Sequence, residues 1–419
     1  MSNSKNIGNF LRKDILVDPT QKKLTKKEQQ TYENFNVAMS SNPGTQAMFK
    51  MLNNANVQMQ LSLDNKGKNI LQGVLTEETR QAKIEITHVD YSKVLEKEEA
   101  TSIIKQLQEE QQDLYKRNKN SLFDLKFLAY LEQFALYAAS QEDFSLNINP
   151  VITLLDTDLA DKFNMTTRSV QESLNGRNRI NYRYTKKEMS LKGIKKNEIT
   201  DKKHYIGAIE NLNDIRLNVK FKTKRKFRID TPGGLQPYTI TRVKEKGNKK
   251  VGLLITINPQ YLNYERLFFK NDKNNYGAYE RLPSFIWTIN NSIDFMIIKY
   301  CYDLLRNNKK KQRKVSVKEF LDNVGIIDDT KRNTKNKLYD VLNRHLDDIN
   351  EQYKEFLYID YEQREFEAIN GTLDFEEWKK TNLVITYKQI PLYDAIESKK
   401  QKYIEASKDN KKWIDKEAV

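Results

Sequence analysis

The chain has 419 residues, with 72 lysines and arginines against 57 aspartates and glutamates, and so a formal net charge of +15. This length allows two or three domains with sizeable cores, and the basic excess favours a polyanionic partner. The single cysteine, Cys301, excludes an internal disulfide framework and favours a reducing compartment. Because no apolar run approaches the roughly 20 residues of a membrane span, we expect a soluble, cytoplasmic protein without a membrane partner.

The first 120 residues are polar and weakly patterned. The stretch Lys83–Val89 alternates apolar and polar residues and predicts a short strand. The charged stretch Ser92–Arg117 is helix-prone and has few apolar positions. We therefore expect residues 1–120 to form a polar N-terminal extension that is partly helical or disordered.

A strongly apolar stretch, Leu122–Ala139, follows and predicts a buried helix. It should pack on the next patterned stretch, Leu159–Asn175, which has the spacing of two helices joined by a tight turn. Leu159 and Phe163 stand four residues apart and share one helix face, as do two apolar residues after the turn.

Turn and cap residues stand between and before these apolar pairs. Asn164 tolerates the left-handed backbone conformation that most residues avoid. The N-cap candidates are Asp156 or Thr157 for the first helix and Thr166 or Thr167 for the second.

This order of residues is typical of a helix–turn–helix, whose second helix lies in the major groove of DNA. Outward polar side chains of the second helix are candidates for DNA contact, namely Thr166, Thr167, Arg168, Gln171 and Asn175. An ordinary corner between two core helices has the same spacing and stays open as an alternative.

Basic, alternating stretches follow the motif. Strands are predicted at Ile215–Ile229, Tyr238–Val243 and Val251–Ile257, and helices followed by a β-hairpin describe a winged helix at residues 121–270. The candidate phosphate contacts here are Arg177, Arg179, Lys222, Lys224, Arg225 and Lys226. A solvated edge strand protected by lysines accounts for the same alternation.

A second, looser copy of the pattern is predicted at residues 278–392. Its elements are a helix at Ile293–Leu305, a short helix capped at Ser316 and ended at Gly325, a long helix from about Asn333, and strands at Phe356–Tyr361 and Leu383–Tyr387. Its candidate DNA contacts are Lys309, Lys310, Lys311, Arg313, Lys331, Arg332, Lys335 and Asn336. The run of cations before residue 315 is otherwise a solvated loop, and residues 393–419 form a charged tail.

No constellation of catalytic residues stands out in the sequence. His88, His204 and His345 have no second His or Cys at ligand spacing. The chain has no Gly-x-x-x-x-Gly-Lys-[Ser/Thr] phosphate loop, and Asp328 and Asp329 are explained as charges at a helix N-terminus. We therefore expect no enzymatic activity, cofactor or metal, although carboxylates distant in sequence leave a metal nuclease open.

Several segments together resemble the initiator proteins of theta-replicating plasmids. They are Ile255–Leu262, Tyr300–Leu305, Val317–Leu321 with Val324–Ile326, and Leu342–Asn350 before the strand at Phe356–Tyr361. The resemblance implies two pseudo-symmetric winged helices that contact DNA repeats at an origin, with dimers that repress their own gene and monomers that bind the repeats. It covers roughly residues 122–390, and the first 120 residues and Thr185–Leu212 are additional to it.

Together these features predict an α+β fold with two tandem winged-helix domains behind a mostly helical or polar N-terminal extension. We expect sequence-specific binding of double-stranded DNA, at origin repeats or an operator, which initiates plasmid or phage replication through contacts with host replication proteins. Arg168 and Gln171 have the geometry to read guanine and adenine. A homodimer, a transcription regulator of the same fold, and a protein that packs DNA without sequence preference stay open.

Overall fold

A computed structural model describes most of the chain between residues 26 and 391. The described residues are 26–40, 42–53, 58–63, 69–78, 82–95, 121–140, 151–180, 202–205, 207–221, 228–229, 234–244, 251–270, 279–306, 311–326, 335–362 and 374–391. They form a mixed α+β fold in which helices surround small antiparallel sheets.

The described helices are α1 (Lys26–Asn34), α2 (Pro43–Leu52), α3 (Ser121–Ser140), α4 (Asp156–Phe163), α5 (Thr167–Asn175), α6 (Ala208–Asn213), α7 (Pro259–Lys270), α8 (Ser292–Arg306), α9 (Val317–Val324), α10 (Lys335–Gln352) and α11 (Phe375–Lys380), with a 3-10 helix at Ser284–Thr288. The described strands are β1 (Val37–Ser40), β2 (Gln58–Leu63), β3 (Asn69–Glu78), β4 (Ala82–Leu95), β5 (Val151–Leu155), β6 (Arg177–Ile180), β7 (Lys202–Tyr205), β8 (Ile215–Phe221), β9 (Arg228–Ile229), β10 (Tyr238–Lys244), β11 (Val251–Ile257), β12 (Tyr279–Leu282), β13 (Gln312–Ser316), β14 (Leu357–Tyr361) and β15 (Asn382–Tyr387).

The first unit consists of α3, β5, α4, α5, β10 and β11. β11 lies between β5 and β10 in an antiparallel sheet, so Ile255 stands opposite both Ile152 and Ile240. These three side chains share the buried face of the sheet because side chains alternate along a strand. The buried helix predicted at Leu122–Ala139 is confirmed as α3, which contacts α2, α6, α7 and β1 as well.

The second unit consists of α8, β13, α9, α10, β14 and β15. β15 is the central strand of its antiparallel sheet, with Leu383 opposite Val315 and Ile385 opposite Ile359. The predicted cap at Ser316 is confirmed, since its hydroxyl accepts a hydrogen bond from the Glu319 N–H. Helix α11, which the sequence did not predict, lies between β14 and β15 and buries Trp378 completely.

The two units share one order of elements. In each, a helix is followed by a strand, two helices and two further strands, and the last strand is the centre of the sheet. The units differ in what is inserted into this order. The first unit has β6, β7, α6, β8 and β9 between α5 and β10, and the second has α11 between β14 and β15.

The described N-terminal residues are joined to both units and do not form a separate extension. β1 pairs with β12, which places Val37 opposite Leu282, and β4 pairs with β8, which places Ile86 opposite Leu217. In α2, Met48 and other apolar side chains are fully buried. The described N-terminal residues therefore pack on elements that come later in the chain.

Two predictions about the first 120 residues have different outcomes. The strand predicted at Lys83–Val89 is confirmed within β4. The helix predicted at Ser92–Arg117 is wrong at its start, because Ser92–Leu95 continue β4; residues 96–117 lie outside the described residues.

The stretch Ile215–Ile229, predicted as one strand of a wing, reverses direction instead. Lys220 of β8 stands opposite Arg228 of β9, and both strands belong to a five-stranded sheet with β2, β3 and β4. The prediction of one wing strand was wrong because alternation in the sequence indicates the two faces of a strand, but not the strand with which it pairs.

The 3-10 helix joins the two units through two aromatic side chains. Trp287 stacks on Phe163 of the first unit, with ring centroids 5.5 Å apart, and also contacts Tyr130. Phe285 stacks on Tyr353, which follows α10 of the second unit, at 4.2 Å. Stacked and edge-to-face ring pairs of this kind stabilise a fixed relative arrangement of the elements that carry them.

A buried polar network connects α2, α3 and α7. Tyr238 and Tyr261 donate to one carboxyl oxygen of Glu132 at 2.6 and 2.8 Å, and Thr45 donates to the other oxygen at 3.0 Å. The Thr45 hydroxyl also lies 3.5 Å from a carboxyl oxygen of Glu265. The two buried acids are thus bridged by one hydroxyl group.

Burial makes ionisation of both acids unfavourable. It raises the pKa of Glu132 from the ordinary value of 4.5 to about 7, although the hydroxyl donors oppose the rise. Burial, followed by the nearby charge of Glu132, raises the pKa of Glu265 to about 8. Burial therefore shifts the ionisation of both carboxyl groups from the acidic range to near-neutral pH.

We expect the double variant Glu132→Gln, Glu265→Gln to lose a pH-dependent part of the stability. The pKa of each acid is higher in the folded state than its ordinary value of 4.5, so the folded chain retains protons that the unfolded chain releases. The contribution of the two acids to the unfolding free energy is complete below pH 4.5 and is lost as pH rises through about 7 to about 8. Urea denaturation across this range should show the wild type losing stability relative to the variant.

The control for this measurement is Glu376→Gln, because the Glu376 side chain is 73% exposed. Its pH profile should match the wild-type profile. A stability difference between wild type and double variant that stays constant across the window would contradict the raised pKa values.

Candidate nucleic-acid interface

The predicted corner between α4 and α5 is present in the structure. Asn164 adopts the left-handed conformation, with φ 52° and ψ 51°, and ends α4. The Met165 N–H donates to the carbonyl oxygen of Ala160 at 2.9 Å, which closes the turn. Val170 and Leu174 are fully buried, so the apolar face of α5 is turned to the core.

The N-terminus of α5 is exposed and well capped. Thr166 is the N-cap, and its hydroxyl accepts the Ser169 N–H at 3.1 Å. The Arg168 side chain is 88% exposed and forms an i,i+4 ion pair with Glu172, at 3.2 Å. The positive end of the helix dipole and an exposed guanidinium therefore lie side by side, which suits an anion.

The other two predicted base-reading side chains are held by partners inside the protein. Gln171 donates from Nε2 to Oδ2 of Asp156 at 2.9 Å. Arg242 of β10 bonds to Oδ1 of the same carboxylate and donates from Nε to Oδ1 of Asn175 at 2.9 Å. We call Asp156, Gln171, Asn175 and Arg242 the polar cluster.

The polar cluster corrects one prediction and adds one residue. Asp156 was an N-cap candidate, but Leu155 is the N-cap, and Asp156 is the first helical residue with its side chain 2% exposed. Arg242 was not predicted at all. A signal for it exists, because Arg242 follows Tyr238 and Ile240 at the inward positions of an alternating strand, where a charge needs a partner.

The segment after α5 is held close to the helix end. Gly176 ends α5 with φ 69°, and a Cβ on Gly207 would lie 2.2 Å from the Gly176 nitrogen. Only glycine fits at 207, so the chain entering α6 crosses directly over the C-terminus of α5. Arg177 and Arg179, predicted phosphate contacts, begin β6, which pairs with β7.

Most cations predicted to contact DNA in the two units fall outside the described residues. This holds for Lys222, Lys224, Arg225, Lys226, Lys309, Lys310, Lys331 and Arg332. Lys335 and Asn336 form the start of α10, as predicted, and only their backbone is described.

Two predicted contacts near β13 are described and differ from each other. Lys311 is exposed. Arg313 is half-buried and donates through Nε and Nη2 to the carbonyl oxygen of Leu304, at 3.4 and 3.2 Å. Arg313 thus caps the end of α8, which differs from the exposed phosphate contact that the sequence predicted.

The exposed side of α10 changes character along the helix. Beyond its first turns it carries Asp340, Asp347, Asp348 and Glu351 beside Arg344. Carboxylates repel phosphate, so the part of α10 suited to a nucleic acid is its N-terminal end, where the sequence places the cations.

Among the residues that the structure describes, no three His, Cys, Asp or Glu side chains gather as metal ligands. Within the same residues no helix has both the length and the apolar character to cross a membrane. No protein-family model matches the chain. No curated protein sequence matches it either.

We expect Arg242→Met to lower the unfolding free energy by about 1–3 kcal/mol, because it leaves a buried carboxylate without its charged donor. Arg168→Met is the matched control, since the Arg168 side chain is 88% exposed against 25% for Arg242. An exposed ion pair contributes little to stability, so this control should leave the unfolding free energy unchanged within the error of the measurement. Urea denaturation at neutral pH measures both, and equal losses would contradict a structural role for the polar cluster.

Proposed function

We propose that each unit is a winged-helix domain and that the protein binds double-stranded DNA through both. The observation that carries the proposal is the shared order of elements, in which two helices are followed by two antiparallel strands and the second strand is central. In the first unit the two helices meet at a tight turn. In such a domain the second helix of the corner enters the major groove. That helix is α5 in the first unit, and the connection after β10 contains Lys246, Lys249 and Lys250.

The surface of α5 favours DNA over another helix as its partner. A helix that docks on a protein exposes an apolar stripe, whereas the apolar residues of α5, Val170 and Leu174, both face the core. The outward side chains are hydrogen-bonding groups, including Arg168 and Gln171. Guanidinium and carboxamide groups are the ones that read guanine and adenine edges in the major groove.

We further propose that the protein initiates plasmid or phage replication by binding repeats at an origin, and recruits host replication proteins without catalysis of its own. Two domains that are joined by stacked aromatic side chains suit tandem DNA sites at a fixed spacing. The resemblance of the sequence to theta-type initiators supports the same reading. Deletion of the gene from a plasmid that carries it tests initiation directly, because a plasmid that depends on the protein should then fail to replicate.

We expect the double variant Arg168→Ala, Gln171→Ala to lose its preference for a cognate sequence while it keeps weaker binding to random DNA. Each good side-chain contact to a base contributes about 1–3 kcal/mol of discrimination, whereas phosphate contacts do not depend on sequence. The cognate sequence is first selected from a random library with the wild-type protein. Fluorescence anisotropy then gives the affinity ratio between the two DNAs.

The matched control carries the same substitutions elsewhere, as Arg344→Ala with Gln352→Ala on the acidic part of α10. It should retain the wild-type affinity ratio. An unchanged ratio in the Arg168→Ala, Gln171→Ala variant would show that α5 does not read bases. Equal affinity of the wild type for selected and random DNA would favour DNA packing, and a plasmid that replicates without the gene would favour a transcription regulator.

A further inference from the structure

We propose that Asp156 and Arg242 position Gln171 so that it presents one donor and one acceptor to an adenine base. This inference rests on the proposed function, because it assigns a base preference to the same helix. The Asp156 side chain is 2% exposed and is held on both oxygens, by Arg242 and by Gln171. Asp156 and Arg242 are positioning residues, whereas Gln171 is the residue that meets the base.

The orientation of the Gln171 amide follows from the chemistry of its partners. A guanidinium has only donors and an ionised carboxylate has only acceptors. The carboxylate of Asp156 can therefore accept from Gln171 but cannot donate to it, so Gln171 must turn Nε2 towards Asp156. One amide N–H and the carbonyl oxygen of Gln171 remain for a ligand.

The remaining pair of groups matches one base edge in the major groove. Adenine offers an acceptor at N7 and a donor at N6, while guanine offers two acceptors at N7 and O6. One donor beside one acceptor therefore suits adenine. Without Asp156 the Gln171 amide is free to rotate, and its two orientations have different preferences.

The side-chain amide of Asn175, one helical turn further along α5, also has a defined orientation. Arg242 donates from Nε to Oδ1 of Asn175, so the oxygen is turned inward and the Nδ2 donors are turned outward. Asn175 therefore suits an acceptor on the DNA. The polar cluster thus sets the hydrogen-bonding polarity of two successive side chains on α5.

The decisive variant is Asp156→Asn. Arg242 can only donate, so the new amide keeps its oxygen on Arg242 and turns its nitrogen to Gln171. Gln171 must then turn its oxygen inward and present two N–H donors, which suit guanine. At one base position the preference should change from adenine to guanine. The ratio of the affinities for the adenine and guanine versions of the site should shift towards guanine by about tenfold or more.

The measurement is selection from a random DNA library with the full-length protein, followed by competition between adenine and guanine versions of the selected site. Asp161→Asn is the control, because it removes the same charge from an exposed position of α4, and it should keep the adenine preference. Gln171→Met should remove the preference at this position, and adding Asp156→Asn to it should change nothing more.

A purely structural role of the polar cluster predicts weaker binding with the same base preference. A folded Asp156→Asn variant that still selects adenine would therefore overturn the proposal.

If that variant does not fold, Arg242→Lys decides, because it keeps a cation for Asp156 but loses the Nε bond to Asn175. It should keep adenine and broaden the neighbouring position, and an unchanged preference at both positions overturns the proposal. A wild-type protein without any sequence preference would instead overturn the proposed function.

Discussion

The position of the N-terminal residues depends on two buried carboxyl groups. An ionised carboxylate in a low-dielectric interior costs several kcal/mol unless it is neutralised or hydrogen-bonded. Glu132 accepts hydrogen bonds from Thr45 of α2 and from Tyr261 of α7. Glu265 lies beside the same Thr45 hydroxyl and accepts a hydrogen bond from Asn42, the N-cap of α2. A displaced α2 leaves both acids short of donors, so the network specifies one way for this segment to dock on α3 and α7 and makes it part of the fold.

Local signals in the sequence predicted local structure well. Asn164, Thr166, Ser316 and Gly325 occupy the turn and cap positions predicted for them, because a cap or a left-handed residue acts on backbone groups within a few positions. The pairing of strands was not predictable in this way. The basic stretch around Lys220 joins β4 instead of β10, and nothing in its own alternation distinguishes these two partners.

The candidate site likewise has features that local sequence predicts and features that depend on tertiary contacts. Helical spacing was enough to place Arg168, Gln171 and Asn175 outside the core face of α5. It was not enough to find their partners, since Arg242 lies 86 positions after Asp156 and reaches it only when β10 pairs with β11. Periodicity identifies which side chains face outward, but their hydrogen-bonding polarity depends on tertiary neighbours.

The relative position of the two units has consequences for any DNA that contacts both. Trp287 is held against Phe163, directly behind the corner of the first unit, and Phe285 is held against Tyr353, just beyond α10 of the second. These residues lie two positions apart in one short 3-10 helix, so movement of one unit relative to the other must break a stacked ring pair. If α5 and α10 are the DNA-contacting helices, as we propose, this arrangement fixes the distance between them. The proposal then implies that the protein selects the spacing of two DNA sites as well as their sequence, which a pair of flexibly linked domains does not do.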